Sequence, residues 1–246
     1  MRNVVSVLSA SLIVVASMSP ARSQELTFVT AAGPPMSANA AGKPGFLDLL
    51  LKEAFGRLGR KIRLQPLPAE RALLNANKGF EDGDAYRIGG LEKTYRNLRR
   101  VPEPVLNAEF VAYSRGQVES SGTWSVLKGR SVGIITGWKI FEKNLTNVAL
   151  LTQVRDPDHL FGLLRRGRVD VVMFGKWQGL WYLKSKGWRF HMWPEPFAQR
   201  PMYVYLNKKH QDLVEPLADG LRAMKADGSF QRIFNSTLEK LEDQGR

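Results

Sequence analysis

The chain has 246 residues, 43% of them hydrophobic, and a formal net charge of +13. That length and apolar content suit one large or two small globular units with a real core. The absence of cysteine excludes disulfides, a thiol nucleophile and thiolate metal ligation. His159, His191 and His210 are scattered, with no pair at helical ligand spacing, so neither a metal nor a cofactor is predicted.

The first 23 residues have the layout of a secretory signal peptide. Arg2 supplies a positive start, Val4 to Met18 an apolar run, and Ala21-Arg22-Ser23 a small-x-small cleavage site before Gln24 and Glu25. The run is shorter than the about 20 apolar residues that span a bilayer. The expected mature chain is periplasmic, has 223 residues, and carries +11 once Arg2 and Arg22 are removed. Such a charge favours anionic partners. Export argues against nucleic acid. The basic residues also fall in short groups (Arg99-Arg100, Lys128 and Arg130, Arg165-Arg166 and Arg168, Lys208-Lys209), which read as solvated surface.

Leu26 to Ala31 reads as a strand, rich in β-branched and aromatic residues, and Gly33-Pro34-Pro35 breaks it. From Gly45 the period becomes helical: Phe46, Leu49, Leu50, Ala54 and Leu58 share a face, with Asp48 in the first turn and Gly59 past the end. Ile62 to Leu64 alternates again, which makes a βαβ unit with two parallel strands. A second helix is predicted over Ala69 to Asn77, stopping at Gly79, and a short strand near Asp84 to Ile88.

The pattern then restarts. Ser131 to Ile135 is a buried strand, and Gly137-Trp138 turns into a helix. Leu150 to Val154 is another strand. Asp156-Pro157 is a helix start, an N-cap followed by Pro at the first helical position, and that helix ends near Gly167. Val169 to Phe174 is almost continuously apolar, as for a strand covered on both faces. A helix over Lys176 to Lys186, a strand around Phe190 and a strand over Met202 to Leu206 follow. Two helices close the chain, Gln211 to Ala226 and Ser229 to Leu241, the second with Ser229 as N-cap.

Two α/β clusters in series emerge, joined near Tyr113 and again near Pro196 to Pro201. The last strand and helices are surplus to the second cluster and are expected to return to the first. That predicts two chain crossings, a hinge, and a cleft between lobes, with residues 24–112 and 202–246 in one lobe and 113–201 in the other.

Several stretches carry a resemblance. Leu26-Thr-Phe-Val-Thr with Pro34-Pro35, Gly45-Phe46-Leu-Asp48-Leu-Leu, Leu127-Lys-Gly129-Arg-Ser-Val-Gly133, Leu164-Arg-Arg-Gly167-Arg-Val-Asp170-Val-Val and Met224-Lys-Ala-Asp227-Gly228-Ser-Phe230 occur in one order. Over Glu25 to Phe234 the chain resembles the extracellular solute-binding proteins of family 3, which serve ABC importers of polar amino acids. The resemblance implies a two-lobed, type II periplasmic binding protein fold. It also implies a monomer that closes on a small anionic or zwitterionic ligand and delivers it to a membrane permease, with no bond made or broken. Two other activities fit such a scaffold. One is a dehydratase-like enzyme, for which Glu70 or Glu142 would be the general acid. The other is a partner that hands its ligand to a sensor or an oxidoreductase system.

The site expectations come from strand ends and helix N-termini, which offer N–H groups and positive potential to a carboxylate. Thr136-Gly137-Trp138 corresponds to the family's anion loop, with Trp138 where a small hydroxyl residue is usual; Trp138 is either an aromatic wall or core. The family's carboxylate-gripping arginine corresponds to Arg87 or Arg96. Arg87 is favoured because it follows a strand, whereas Arg96 falls in a charged stretch. Glu70 and Arg71 open a helix where the family makes ligand contacts, or else form a surface ion pair. Pro35, Met36, Tyr86, Tyr113 and Trp177 are candidates for apolar contact, although Trp177 and Trp181, four apart, also suit core packing. The main departure is Gly175, where the family's amino-acid binders place an Asp for the ligand ammonium. A buried ammonium without a counter-charge costs several kcal/mol. Either another acid substitutes, with Asp84 and Glu142 as candidates, or the ligand has no such amine.

Overall fold

A computed structural model describes residues 25–116 and 122–242. The expected signal peptide, residues 1–23, lies outside the described residues. Among the described residues no helix is long and apolar enough to cross a membrane.

The first half opens with β1 (Leu26–Thr30), α1 (Phe46–Arg57), β2 (Ile62–Pro66), α2 (Ala69–Lys78) and β3 (Gly83–Ile88). β1 pairs in parallel with β2 from Leu26↔Ile62 to Thr30↔Pro66, which is the predicted βαβ unit. Two strands that periodicity did not flag come next, β4 (Leu98–Arg100) and β5 (Leu106–Ser114). The second half holds β6 (Ser131–Ile135), α3 (Lys139–Asn144), β7 (Leu150–Val154), α4 (Pro157–Arg165), β8 (Val171–Gly175), α5 (Lys176–Lys186) and β9 (His191–Met192). The Asp156 side chain caps α4 by accepting from His159 N at 2.9 Å. β10 (Ala198–Asn207), α6 (Val214–Ala226), α7 (Ser229–Phe234) and α8 (Lys240–Glu242) complete the chain.

The strands form one curled sheet in the order β2-β1-β3-β10-β5-β8-β6-β7, with β4 on β10 and β9 on β5. Its centre is the antiparallel pair β5–β10. β10 runs along β3 through Met202–Leu206 and along β5 through Ala198–Met202. β5 continues past β10 to pair with β8 from Phe110↔Gly175 to Ser114↔Val171. The two crossings are therefore adjacent strands rather than loops, and the fold is two α/β lobes joined by a double-stranded connection. β10 begins four residues earlier than the predicted Met202 start, because Ala198–Pro201 gain partners on a strand that sequence periodicity did not show.

The final helices do return to the first half, where α6 and α7 pack on α1. They also reach across it: Phe234 meets Trp177 of α5 edge to face, with ring centroids 5.7 Å apart. Two boundaries differ from expectation. Gly228, at φ +79°, is the N-cap of α7. Ser229 is instead the first helical residue, its hydroxyl turned back to Asp227 and reached by Arg57 Nη2 at 2.9 Å. The helix predicted to run to Leu241 widens into a π turn over Asn235–Glu239. There the Thr237 hydroxyl donates to Ile233 O at 2.6 Å, competing with the backbone ladder.

Asp82 ties three segments of the first half together. Its carboxylate accepts from Thr27 N of β1 at 2.7 Å and pairs with His210 Nε2 at 2.7 Å and Lys209 Nζ at 2.8 Å, just past β10. Burial raises this carboxyl's pKa, but the bonds from Lys209, Thr27 and His210 outweigh it and leave the pKa below the usual aspartate value. A depressed folded-state pKa adds stability that is present above the unfolded value and lost as pH falls through the folded one. Asp82→Ala should lower unfolding free energy by about 1–3 kcal/mol at pH 7. That deficit should shrink toward pH 3 in urea titrations; a deficit independent of pH would count against this role.

Candidate ligand-binding site

One cavity sits where the carboxyl ends of strands from both halves converge, the place α/β sheets reserve for ligands. It encloses about 630 Å³ of space, including its open mouth. The first half contributes Ala31 and Ala32 after β1, and Tyr86, Arg87 and Ile88 at the end of β3. The second half contributes Gly137 to Ile140 after β6, and Gly175, Trp177 and Gln178 at the β8–α5 junction. Ala108, Glu109, Phe110 and Met202 of the crossing strands form the remaining wall.

Arg87 lies in this cavity and Arg96 does not: Arg96 is exposed in the turn before β4. Arg87 is 7% exposed. Its Nε donates to Asp84 Oδ2 at 2.6 Å and its Nη2 to Ala69 O at 2.6 Å. These two bonds fix the guanidinium between β3 and the start of α2, and Nη1 has no protein partner among the described residues. Asp84 is fully buried; burial raises its pKa, and Arg87 pulls it back. Tyr86 is half-buried beside Arg87, and desolvation pushes its hydroxyl pKa up, which keeps it a neutral donor.

The anion loop is built differently from the expectation. Its N–H groups are already committed: Thr136 N donates to Val154 O at 2.9 Å, Gly137 N to Glu142 Oε1 at 2.6 Å, and Trp138 N to Ile135 O at 3.3 Å. Gly137 serves close approach instead. Its φ is +87°, and a Cβ there would lie 2.6 Å from Glu70 N and 2.9 Å from Ala69 Cβ. This is a direct contact between the two halves, and a second one spans it. Lys139 Nζ bonds Glu70 Oε2 at 2.8 Å and Glu142 Oε2 at 3.0 Å. Burial lowers the lysine's pKa, but the two carboxylates hold it above the usual value. Glu70 is thus paired with Lys139 across the cleft rather than with Arg71.

Trp138 proves to be both wall and core. It lines the cavity while stacking on Phe174 at 5.0 Å and Phe141 at 5.7 Å. Trp177 also combines the two roles, 7% exposed, against Phe234 and beneath Lys176 Nζ at 5.1 Å from its ring centroid. Arg71 and Thr136 line a separate, open-sided depression with Pro68 and Arg155. Pro35 and Tyr113 are buried away from the cavity. Pro35 O accepts from Phe46 N at 2.9 Å, joining the Pro-Pro loop to the start of α1. Met36 is fully buried.

Sequence reasoning passed over Lys139, Glu109 and Gln178. Gln178 follows Gly175 by one helical turn and is 5% exposed. Its amide lies over Gly175, so a Cβ on residue 175 would require that flexible amide to move aside. Neither proposed substitute acid is free, since Asp84 holds Arg87 and Glu142 holds Gly137 N and Lys139. Glu109 pairs with Lys176 at 3.2 Å.

No family model matches the chain. An uncharacterized protein of Shewanella oneidensis is 28% identical over 204 residues, which cover 80% of this chain and 77% of that protein. Among solved structures, an ancestral arginine-binding protein bound to arginine is 24% identical, with a TM-score of 0.76 over 87% of this chain and 97% of its own. A substrate-binding protein of an ABC uptake transporter from Streptococcus pneumoniae with bound histidine is 18% identical, with a TM-score of 0.73 over 87% and 92%. A histidine kinase sensor domain similar to periplasmic binding proteins is 16% identical, with a TM-score of 0.74 over 88% and 97%.

Gly137→Ala should hold the halves apart, since the new methyl meets backbone and a positive φ adds about 1–3 kcal/mol of strain. Small-angle X-ray scattering should give a larger radius of gyration than wild type; an unchanged radius would show that this contact does not set closure. By these comparisons the chain has the fold of the two-lobed substrate-binding proteins of amino-acid ABC transporters.

Proposed function

We propose that the protein is a periplasmic solute-binding protein. It captures a small polar ligand bearing a carboxylate, an amino acid or a related organic acid, and presents it to the permease of an ABC-type importer. The observation that carries this reading is a cavity walled by both halves, with Arg87 buried in it and its fork held in place by the bonds it donates to Asp84 and Ala69 O. A preset guanidinium suits a carboxylate, because its planar donors match two oxygens with little ordering cost. The structural relatives bind arginine, glutamine and histidine, each of which carries a carboxylate. Ligand binding energy would favour the closed arrangement, in which Lys139 spans to Glu70 and Gly137 touches α2. In this reading residues 24–112 and 202–246 move as one lobe and 113–201 as the other. Residues 1–23 are an export signal, and the working form is a monomer.

The dehydratase-like alternative needs a carboxyl held protonated. Glu70 and Glu142 are both ion-paired with Lys139, at 2.8 Å and 3.0 Å, rather than standing alone in the cavity. The sensor-partner alternative keeps the same binding step and differs only in the receiving protein.

Thermal shift against matched carboxylates and carboxamides tests the reading. A carboxylate at 100 times its Kd should add about 2.7 kcal/mol of stability, and its carboxamide should add little. Removing Arg87 alone would strand a buried aspartate, at about 3–5 kcal/mol. The double variant Asp84→Asn/Arg87→Met removes both charges; it should stay folded and lose the carboxylate response. Equal responses to acid and amide would overturn the reading.

A further inference from the structure

Two neutral polar side chains of the cavity, Tyr86 and Gln178, are left unused by the fold among the described residues. Gln178 is 95% removed from solvent, lines the cavity, and has no hydrogen-bond partner among the described residues. Its amide atoms are not sealed in the core but open to the cavity, within reach of a bound ligand. The surrounding charge limits what that partner can be. The carboxylate in the cavity lining, Glu109, already faces Lys176 at 3.2 Å, and behind the wall Asp84 faces Arg87 at 2.6 Å and Glu142 faces Lys139 at 3.0 Å. Nothing near Gln178 offers an unshared negative charge. Gly175, with no side chain, supplies none.

We propose, on top of the binding role argued above, that Gln178 selects a ligand whose group next to the carboxylate is neutral and hydrogen-bonding, a hydroxyl or a keto oxygen, rather than an ammonium. The amide has one acceptor oxygen and two N–H donors, so it serves either oxygen function. It cannot neutralise a cation, and an ammonium here would be buried without a counter-charge. Trp138, Trp177 and Phe110 line the remaining space, which suits an apolar or aromatic side chain on that acid. The assigned ligand class is therefore α-hydroxy or α-keto monocarboxylic acids with an apolar side chain.

Isothermal titration with matched pairs tests this: phenyllactate and phenylalanine, 2-hydroxyisocaproate and leucine, lactate and alanine. Wild type should bind the hydroxy acid at least about tenfold more tightly, about 1.4 kcal/mol, in the best-bound pair. Gln178→Glu supplies the missing charge and should shift that ratio about tenfold or more toward the amino acid. Gln178→Met keeps the volume and should bring phenyllactate down to the affinity of 3-phenylpropionate, which keeps the test informative if the glutamate variant does not fold. A preference for the amino acids in wild type, or a ratio unmoved by either substitution, overturns the inference while leaving a carboxylate-binding protein in place. Failure of every acid in the panel to bind overturns both.

Discussion

The site depends on one buried ion pair. Arg87 sits on β3 with its guanidinium held by Asp84 on the same strand and by the carbonyl of Ala69 at the start of α2. A lone guanidinium in this place would cost several kcal/mol in lost hydration. With its partner it becomes a fixed donor at the cavity wall and joins strand to helix at the edge the second half approaches. The contact of Gly137 with Ala69 and Glu70 falls on the same helix start. The proposed carboxylate contact and the meeting of the halves would thus share one piece of backbone.

Around that pair the electrostatics are closed. The cavity carries acids and bases from both halves, but they neutralise each other in place. Lys139 sits between Glu70 and Glu142, and Glu142 also takes the Gly137 N–H. Net charge, the most visible property of the sequence, therefore says little about the interior. The wall left for a ligand is largely apolar, aliphatic and aromatic together, with Tyr86 and Gln178 as its neutral polar points.

Much of the fold was legible from the chain. The βαβ start, the Asp156-Pro157 helix cap and α5 follow from local rules, and the structure places them within a residue or two of expectation. β5 was not legible, although it is the centre of the sheet. Leu106 to Ser114 has a mixed sequence, two-thirds apolar but interrupted by Asn107 and Glu109, and its strand character comes from partners on both sides. At the site, Arg87, Tyr86, Gly137, Trp138, Gly175 and Trp177 were within reach because strand ends and turns mark them. Gln178 was not, because a lone glutamine in a helix normally faces solvent. Arg71, Thr136 and Pro35 fall elsewhere since sequence proximity to a strand end does not fix which way a side chain turns.

The crossing strands carry a topological consequence. The chain leaves along β5 and comes back along β10, with Phe197 N bonded to Phe110 O at 2.8 Å and Ala198 level with Phe110. Everything between those points starts and finishes at one doorway in the sheet. The intervening segment is an excursion whose two ends are neighbours, so an ancestral form could have acquired or shed it whole, without re-threading the scaffold it springs from.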